Sequence, residues 1–378
     1  MQIYKVGGAI RDKLLGLSPK DTDYVVVGST IEEMLKMGYI PVGKNFPVFL
    51  HPITKEEYAL ARTEKKSGIG YKNFQFYAHK NVTLLEDLKR RDITINAIAE
   101  DIDGNLYDPF NGIQDLQNKI IKHISDSFVD DPLRVIRVAR FSAKYKFKIA
   151  KNTLKLMKQI SNTAKELESL SDERIYTELY KIISDDYLTF FNILNQSEAL
   201  NKTFPEFKII IDNKNLFNLI QDKYYNNKLI KKLENNYKII LLILIVNIFN
   251  NKTEIPKYIK NKHYFNILNK TLEVYYIINQ IINSSNMNDI ANLYMKITMK
   301  IGSHSQTNNL PIIFSLITIL NDCFNSNKLN IIISNLKLII NEINSVDYTK
   351  ILSKKINTNI KEIIYNYKIT IIKGILEK

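Results

Sequence analysis

Two aspartates, Asp21 and Asp23, stand one residue apart at the head of an apolar run in KDTDYVVVG, residues 20–28. In an extended chain, residues i and i+2 point to the same face, so the two carboxylates converge while Thr22 turns away. Alone they repel each other. A divalent cation reverses the sign. Hard carboxylate oxygens on a short strand suit Mg²⁺, which keeps part of its water and takes phosphate oxygens in its other positions. A solvated edge strand with outward charges also fits the spacing, but the run YVVVG has the continuous apolar character of a buried strand.

A second stretch precedes this pair. VGGAIRDKLLG, residues 6–16, has the pattern of a strand end, a Gly-Gly turn and a helix, with Arg11 in the first turns of that helix. Paired glycines let a backbone approach a phosphate, and the start of a helix favours an anion. An ordinary tight turn uses the same residues. Further on, Asp131, Arg134, Arg137 and Arg140 follow one another at intervals of three in DDPLRVIRVARF, residues 130–141. Each step of three falls short of a full helical turn by ~60°, so neighbours share a face but the row wraps round the helix. The four side chains must therefore divide their labour. Asp131 directly before Pro132 also suits a helix cap with proline at the first helical position. Arg90 and Arg91, in DLKRRDITINAIA, read either as a solvated basic pair or as a functional pair at the entrance of a strand ITINAIA.

The elements that must position these groups divide the chain. Ten of its twelve glycines fall at or before Gly112, and all eight arginines (Arg11, Arg62, Arg90, Arg91, Arg134, Arg137, Arg140 and Arg174) lie in the first 174 residues. Before about residue 110, short β-rich runs (MQIYKV, DYVVVG, YIPVG, FPVFLH, EYALAR, ITINAIAE, NLYDP) alternate with helical stretches such as IRDKLLG and TIEEMLKMG. Ser29 or Thr30 caps the second of these, with Glu33 in capping-box position. After residue 113 the periodicity is helical, and the Lys-, Asn- and Ile-rich remainder carries no motif. The expectation is an α+β chain: a head on a small mixed sheet, then an all-α neck and body.

Composition narrows the setting. At 378 residues the chain exceeds one simple core, and its formal net charge of +14 suits a phosphate-bearing partner. Part of the lysine content is also what AT-biased codon drift produces. Arginines that survive such drift mark places where a planar fork of donors is needed. A single cysteine, Cys323, excludes an internal disulfide and a cysteine-based zinc site, in keeping with a cytoplasmic setting. No signal peptide is visible, and the longest apolar run, residues 238–249, is shorter than the ~20 residues of a membrane span and reads as a buried helix.

Taken in order, these motifs resemble the polymerase-β-like nucleotidyltransferases, and within them the tRNA nucleotidyltransferase and poly(A) polymerase family. The matching features are GG, twelve intervening residues and Asp-x-Asp; EYALARTEKKSG (57–68); DLKRRDITINAIA (87–99); DPFNGIQDL (108–116); and DDPLRVIRVARF. Within that family the first 150 residues look most like the bacterial CCA-adding group. The resemblance implies a nucleotidyltransferase head over 1–125, a helical neck over 126–206 and a helical, tRNA-binding body over 207–378. It also implies that Asp21 and Asp23 are the catalytic, Mg²⁺-binding pair, that Gly8, Arg11, Arg91, Arg137 and Arg140 contact ATP or CTP, and that Asp92 lies near the ribose. Asp131 and Arg134 are implied as base readers. Chemistry agrees with the last point: a carboxylate only accepts hydrogen bonds, and cytosine and adenine present an amino group where uracil and guanine present a carbonyl.

The implied reaction is template-independent addition of CCA to tRNA from CTP and ATP by two-metal transfer to the RNA 3′-hydroxyl. A relative restricted to A, CC or poly(A) addition, or a non-catalytic RNA-binding protein, is the alternative. The start of the chain five residues before VGG favours CCA addition. No His-Asp pair is present, so no phosphohydrolase activity is expected, nor a metal role for His51 or His79. A monomer without a membrane partner is expected. The family pattern has Glu where this chain has Asp130.

Overall fold

In the computed structural model the chain is described over residues 1–19, 21–42, 47–66, 74–163, 165–224, 226–301, 309–324, 327–349 and 359–377. It divides into two compact units, Met1–Ile211 and Asp212–Lys378.

The first unit is built on a seven-stranded sheet in the order β3-β4-β5-β2-β1-β8-β9. The strands are β1 (Gln2–Val6), β2 (Asp23–Val27), β3 (Ile40–Val42), β4 (Val48–Leu50), β5 (Glu57–Leu60), β8 (Ala99–Glu100) and β9 (Leu106–Tyr107). β6 (Thr63–Lys66) and β7 (Phe74–Tyr77) form a separate hairpin, which the sequence reading did not anticipate. Only β2 and β5 run parallel; the other pairs in the sheet are antiparallel. β2 is buried on both faces, as its apolar run required. Val25 packs with Val6 and Leu88 on one side, and Val26 with Met34 and Phe49 on the other.

Three helices flank the sheet: α1 (Gly8–Leu14), α2 (Ile31–Lys36) and α3 (Leu84–Lys89). Thr30 caps α2, and Glu33 completes the capping box. α4 (Gly112–Gln117) follows in the segment DPFNGIQDL. There both Asp108 oxygens accept the opening amides of Gly112 and Ile113 at 2.7 and 2.8 Å. A Cβ on Gly112 would stand 2.3 Å from the Thr94 carbonyl oxygen, so only glycine lets this helix seat.

The strand expected at ITINAIA is mostly absent. Thr94–Asn96 is a 3₁₀ turn and only Ala99–Glu100 joins the sheet. The cause is burial on every side: Ile93, Ile95, Ala97 and Ile98 are all enclosed, while Asp92 and Asn96 bond to each other across the turn. Period-2 patterning cannot persist when no face is solvated. Arg90 and Arg91 thus follow the C-terminus of α3, with Arg90 as its cap, and do not enter a strand.

Behind the sheet come α5 (Leu133–Tyr145), α6 (Lys151–Asn162), α7 (Asp172–Ile182) and α8 (Tyr187–Gln196), with the short pair β10 (Ile120–Ile121) and β11 (Lys148–Ile149). α5 packs against both α7 and α8.

The regular elements described in the second unit are helices, the long ones at Asn235–Asn250, Lys262–Asn283, Met287–Ile301, Leu310–Phe324, Asn327–Ser345 and Ile360–Leu376. The run expected as a buried helix is one: Ile239–Asn247 is enclosed on all sides. Its one polar member, Asn247, is bonded to the backbone of Glu254 through both amide atoms, as burial demands. Among the described residues no helix is long and apolar enough to cross a membrane.

Candidate nucleotide site

The register of β1 against β2 builds the site. Val6 pairs with Asp23, so the head of β2 meets the tail of β1 where Gly7 and Gly8 turn into α1. Gly7 carries the conformational demand. Its φ is +69°, and a Cβ there would stand 2.8 Å from the Arg91 guanidinium. At Gly8 the corresponding distance, to Arg11, is 3.5 Å, an ordinary contact.

Asp21 does not lie in the strand, because β2 starts at Asp23; the same-face argument from strand geometry therefore covers only one of the two. They are neighbours nonetheless. Burial pushes the Asp23 carboxyl above its ordinary value, Arg91 opposes this, and the charge of Asp21 adds to it. Among the described residues neither aspartate forms an ion pair within 4 Å, and no cluster of three His, Cys, Asp or Glu side chains could hold a metal. Two hard oxygen donors raising each other's charge cost fit a small divalent cation whose other ligands come from water and substrate.

Beside this pair lies a cavity of about 480 Å³, within the usual range of small-molecule sites. Seven of the chain's eight arginines line it. The eighth, Arg62, is tied to the wall through Glu64, which also bonds Arg90. Gly8, Arg11, Asp23, Arg91, Asp92, Asp131, Arg134, Arg137 and Arg140 all meet here, whereas Asp21 is outside the lining.

Each arginine is held by its own partner. Arg11 is buried, with its guanidinium 5.0 Å from the centroids of both Phe141 and Tyr145, and it donates to Asp12 and Asn96. Tyr145 in turn donates to Asp12 at 2.9 Å, which ties α5 to α1. Arg91 donates to the Asn96 carbonyl and to the fully buried Asp87, which also takes Arg90. Arg134 donates to the carbonyls of Ser127 and Arg90. Arg137 bonds Asp92 at 2.8 Å, and Arg140 bonds Glu178 while lying 4.1 Å from the Phe141 ring. Asp131 has a double role. It accepts the Leu133 amide at 3.1 Å, the cap expected of it, and it takes both terminal nitrogens of Arg174, at 2.8 and 3.3 Å.

The residues absent from the sequence reading of this site are Asn96, Phe141, Arg174, Glu178 and Lys181. Arg174 had a signal, as one of the few arginines. Glu178 follows it by one helical turn on α7, but nothing in the sequence says that a carboxylate there is buried under two arginines. Ser67 and Gly68 of EYALARTEKKSG, Gly43 of YIPVG and His304 lie outside the described residues.

Asp92 accepts from the Ile93 amide, Asn96 and Arg137. Burial alone would raise its pKa; Arg137 and Asn96 bond the ionised form and hold it well below its ordinary 3.8. A carboxyl harder to protonate when folded contributes stability that is complete above the ordinary value and is lost as pH falls beneath it. Asp92→Asn is therefore expected to cost about 2 kcal/mol at neutral pH. In urea unfolding, the gap from the unmodified protein should hold down to about pH 4 and shrink below that.

Parts of the chain match known proteins. Residues 3–122 match the poly(A) polymerase head domain, and residues 146–210 a probable RNA- and SrmB-binding site of polymerase A. The Multifunctional CCA protein of Acinetobacter baylyi is 55% identical over 210 residues, which cover 54% of this chain and 51% of that protein. The protein of the same name from Tolumonas auensis is 57% identical over the same length and shares. This chain thus spans about half the length of those relatives. Two solved structures share the fold. The Bacillus stearothermophilus CCA-adding enzyme in complex with CTP aligns with a TM-score of 0.62 at 19% identity, over 98% of this chain and 89% of that one. The Thermotoga maritima CCA-adding enzyme complexed with tRNA aligns with a TM-score of 0.60 at 20% identity, over 100% and 91%. The N-terminal unit, which carries the Gly-Gly turn, the aspartates and the arginine-lined cavity, is thus the part of this chain that is similar to the poly(A) polymerase head domain and to the Multifunctional CCA proteins.

Proposed function

We propose that this protein adds the terminal CCA of tRNA, one nucleotide at a time, from CTP and ATP. One observation carries the reading: eight cationic side chains against four carboxylates line one cavity beside Asp23 and the Gly7–Gly8 turn. A nucleoside triphosphate, with four negative charges, suits that surplus. The relatives named CCA proteins and CCA-adding enzymes support the choice of tRNA as acceptor.

In this reading Asp21 and Asp23 hold Mg²⁺. Bound there, it would lower the pKa of the RNA 3′-hydroxyl and offset charge on the departing pyrophosphate. The chain's own residues position and discriminate. Gly7 and Gly8 leave room for the incoming phosphates, and Arg11 and Arg91 stand at that turn with their guanidiniums fixed by Asn96 and Asp87. Arg137 and Arg140 supply further charge from α5. Asp131 accepts the amino group of cytosine or adenine, and Arg134 donates beside it. Asp92 acts through Arg137, which it orients; a ribose contact uses whatever acceptor capacity its three donors leave. The RNA supplies the nucleophile, so catalysis rests on placement and charge stabilisation.

The test is incorporation into tRNA transcripts lacking CCA, with labelled CTP and ATP supplied separately and together. Addition of both, in order, is expected. Incorporation of A alone onto transcripts ending in CC would point to a restricted enzyme, and incorporation of neither would reject nucleotidyl transfer.

A further inference from the structure

Lys181 differs from every other cation of the cavity. The seven lining arginines each have a hydrogen-bonded acceptor within the protein. The Lys181 ammonium is held more loosely: its contact is an ion pair with Glu178 at 3.7 Å, longer than any of those hydrogen bonds. That carboxylate is already committed. Its other oxygen takes Arg140, and the oxygen facing Lys181 also faces Arg137 at 3.9 Å. Arg137 has Asp92 as its nearer partner, so two buried carboxylates face three cations and this corner keeps a net positive charge. The Lys181 side chain is 49% exposed while Glu178 is 3% exposed, so the ammonium can leave and the carboxylate cannot.

We infer that Lys181 is a further phosphate-binding residue of this cavity, one that engages a phosphate oxygen only when ligand arrives; the inference rests on the nucleotidyl-transfer reading. The residue type fits. An ammonium is a point charge on a flexible stem, suited to meeting a group that enters and leaves, whereas the arginine forks are already set. Its state fits as well: burial and the adjacent Arg140 and Arg137 pull the Lys181 pKa down against the pull of Glu178, so an incoming polyanion relieves unfavourable charge there. The phosphate has two sources of the same chemistry, the triphosphate of the nucleotide and the backbone of the RNA 3′ end.

The experiment compares Lys181→Gln and Lys181→Arg with the unmodified full chain, in Mg²⁺, by equilibrium titration with ATP, with adenosine, and with a tRNA transcript lacking CCA. For Lys181→Gln, ATP binding should weaken about fivefold with adenosine unaffected if the triphosphate is the source. If the RNA is the source, tRNA binding weakens instead and its salt slope falls by about 0.7. Lys181→Arg should stay within about twofold in either case, since it keeps the charge. ATP and tRNA affinities unchanged in Lys181→Gln would overturn the inference, as would equal weakening of ATP and adenosine. If the unmodified protein binds neither ATP nor tRNA, the nucleotidyl-transfer reading itself fails and the inference fails with it.

Discussion

Asp23→Asn is expected to lower nucleotide addition about a thousandfold while tRNA affinity changes less than about twofold. The substitution keeps the shape of the side chain and removes one of two charges at the head of β2. That charge is unfavourable to the protein by itself, because burial and Asp21 both push the carboxyl toward its neutral form. The melting temperature without divalent cation should therefore be no lower than that of the unmodified protein. With Mg²⁺ added, the unmodified protein should gain thermal stability and Asp23→Asn should not. Activity within tenfold of normal would show that the metal is held elsewhere. Asp21→Asn separates the two members of the pair; since Asp21 lies ahead of the strand and outside the cavity lining, its effect should be large but smaller than that of Asp23→Asn.

The second large effect concerns choice of base. Asp131 has about four acceptor positions, and the Leu133 amide with the two Arg174 nitrogens occupy three of them. What remains is a single acceptor of fixed direction, which suits one amino group and opposes a carbonyl. Asp131→Asn introduces an NH₂ group that can face a carbonyl. Discrimination of CTP over UTP, and of ATP over GTP, measured as ratios of kcat/KM, should fall about a hundredfold. Arg174 stands far from Asp131 in sequence, yet it sets the carboxylate's direction. Arg174→Gln should lower the same ratios about tenfold, with a smaller loss in kcat/KM for the correct nucleotide. A purely structural loss would lower all four nucleotides together and leave the ratios intact. Unchanged ratios in both variants would remove Asp131 from base selection.

The contrast between Asp131 and Glu178 marks how far the sequence could be read. Motif spacing located the Gly-Gly turn, the aspartates and the arginine row because each is a local pattern with a chemical reason. Glycine thins out after Gly112 and arginine after Arg174, whereas the two compact units divide at residue 211, so composition alone does not mark that boundary. Residues 93–98 were misread because alternation is a signal of half-burial, and that segment is enclosed on all sides. The β6–β7 hairpin went unseen, because TEKK has no apolar face to betray a strand. Partners such as Glu178 for Arg140, or Asn96 for Arg11, depend on which helix packs on which, and that information is spread over the whole core. The arginine-poor second unit gave its helices through apolar content and little else.

Each guanidinium of this cavity has an acceptor in the protein before any ligand arrives, though not every nitrogen does: the buried Arg91 Nε has none. A phosphate can therefore take the nitrogens left over, as at Arg137 and Arg140, where Nε bonds Asp92 or Glu178, without breaking the bonds that aim the fork. Such a site gives up little side-chain freedom when it binds. It also keeps the same geometry when the ligand leaves, since the bonds that aim each arginine stay in place. In the nucleotidyl-transfer reading, successive triphosphates on the same RNA end then meet a cavity that needs no rebuilding between rounds.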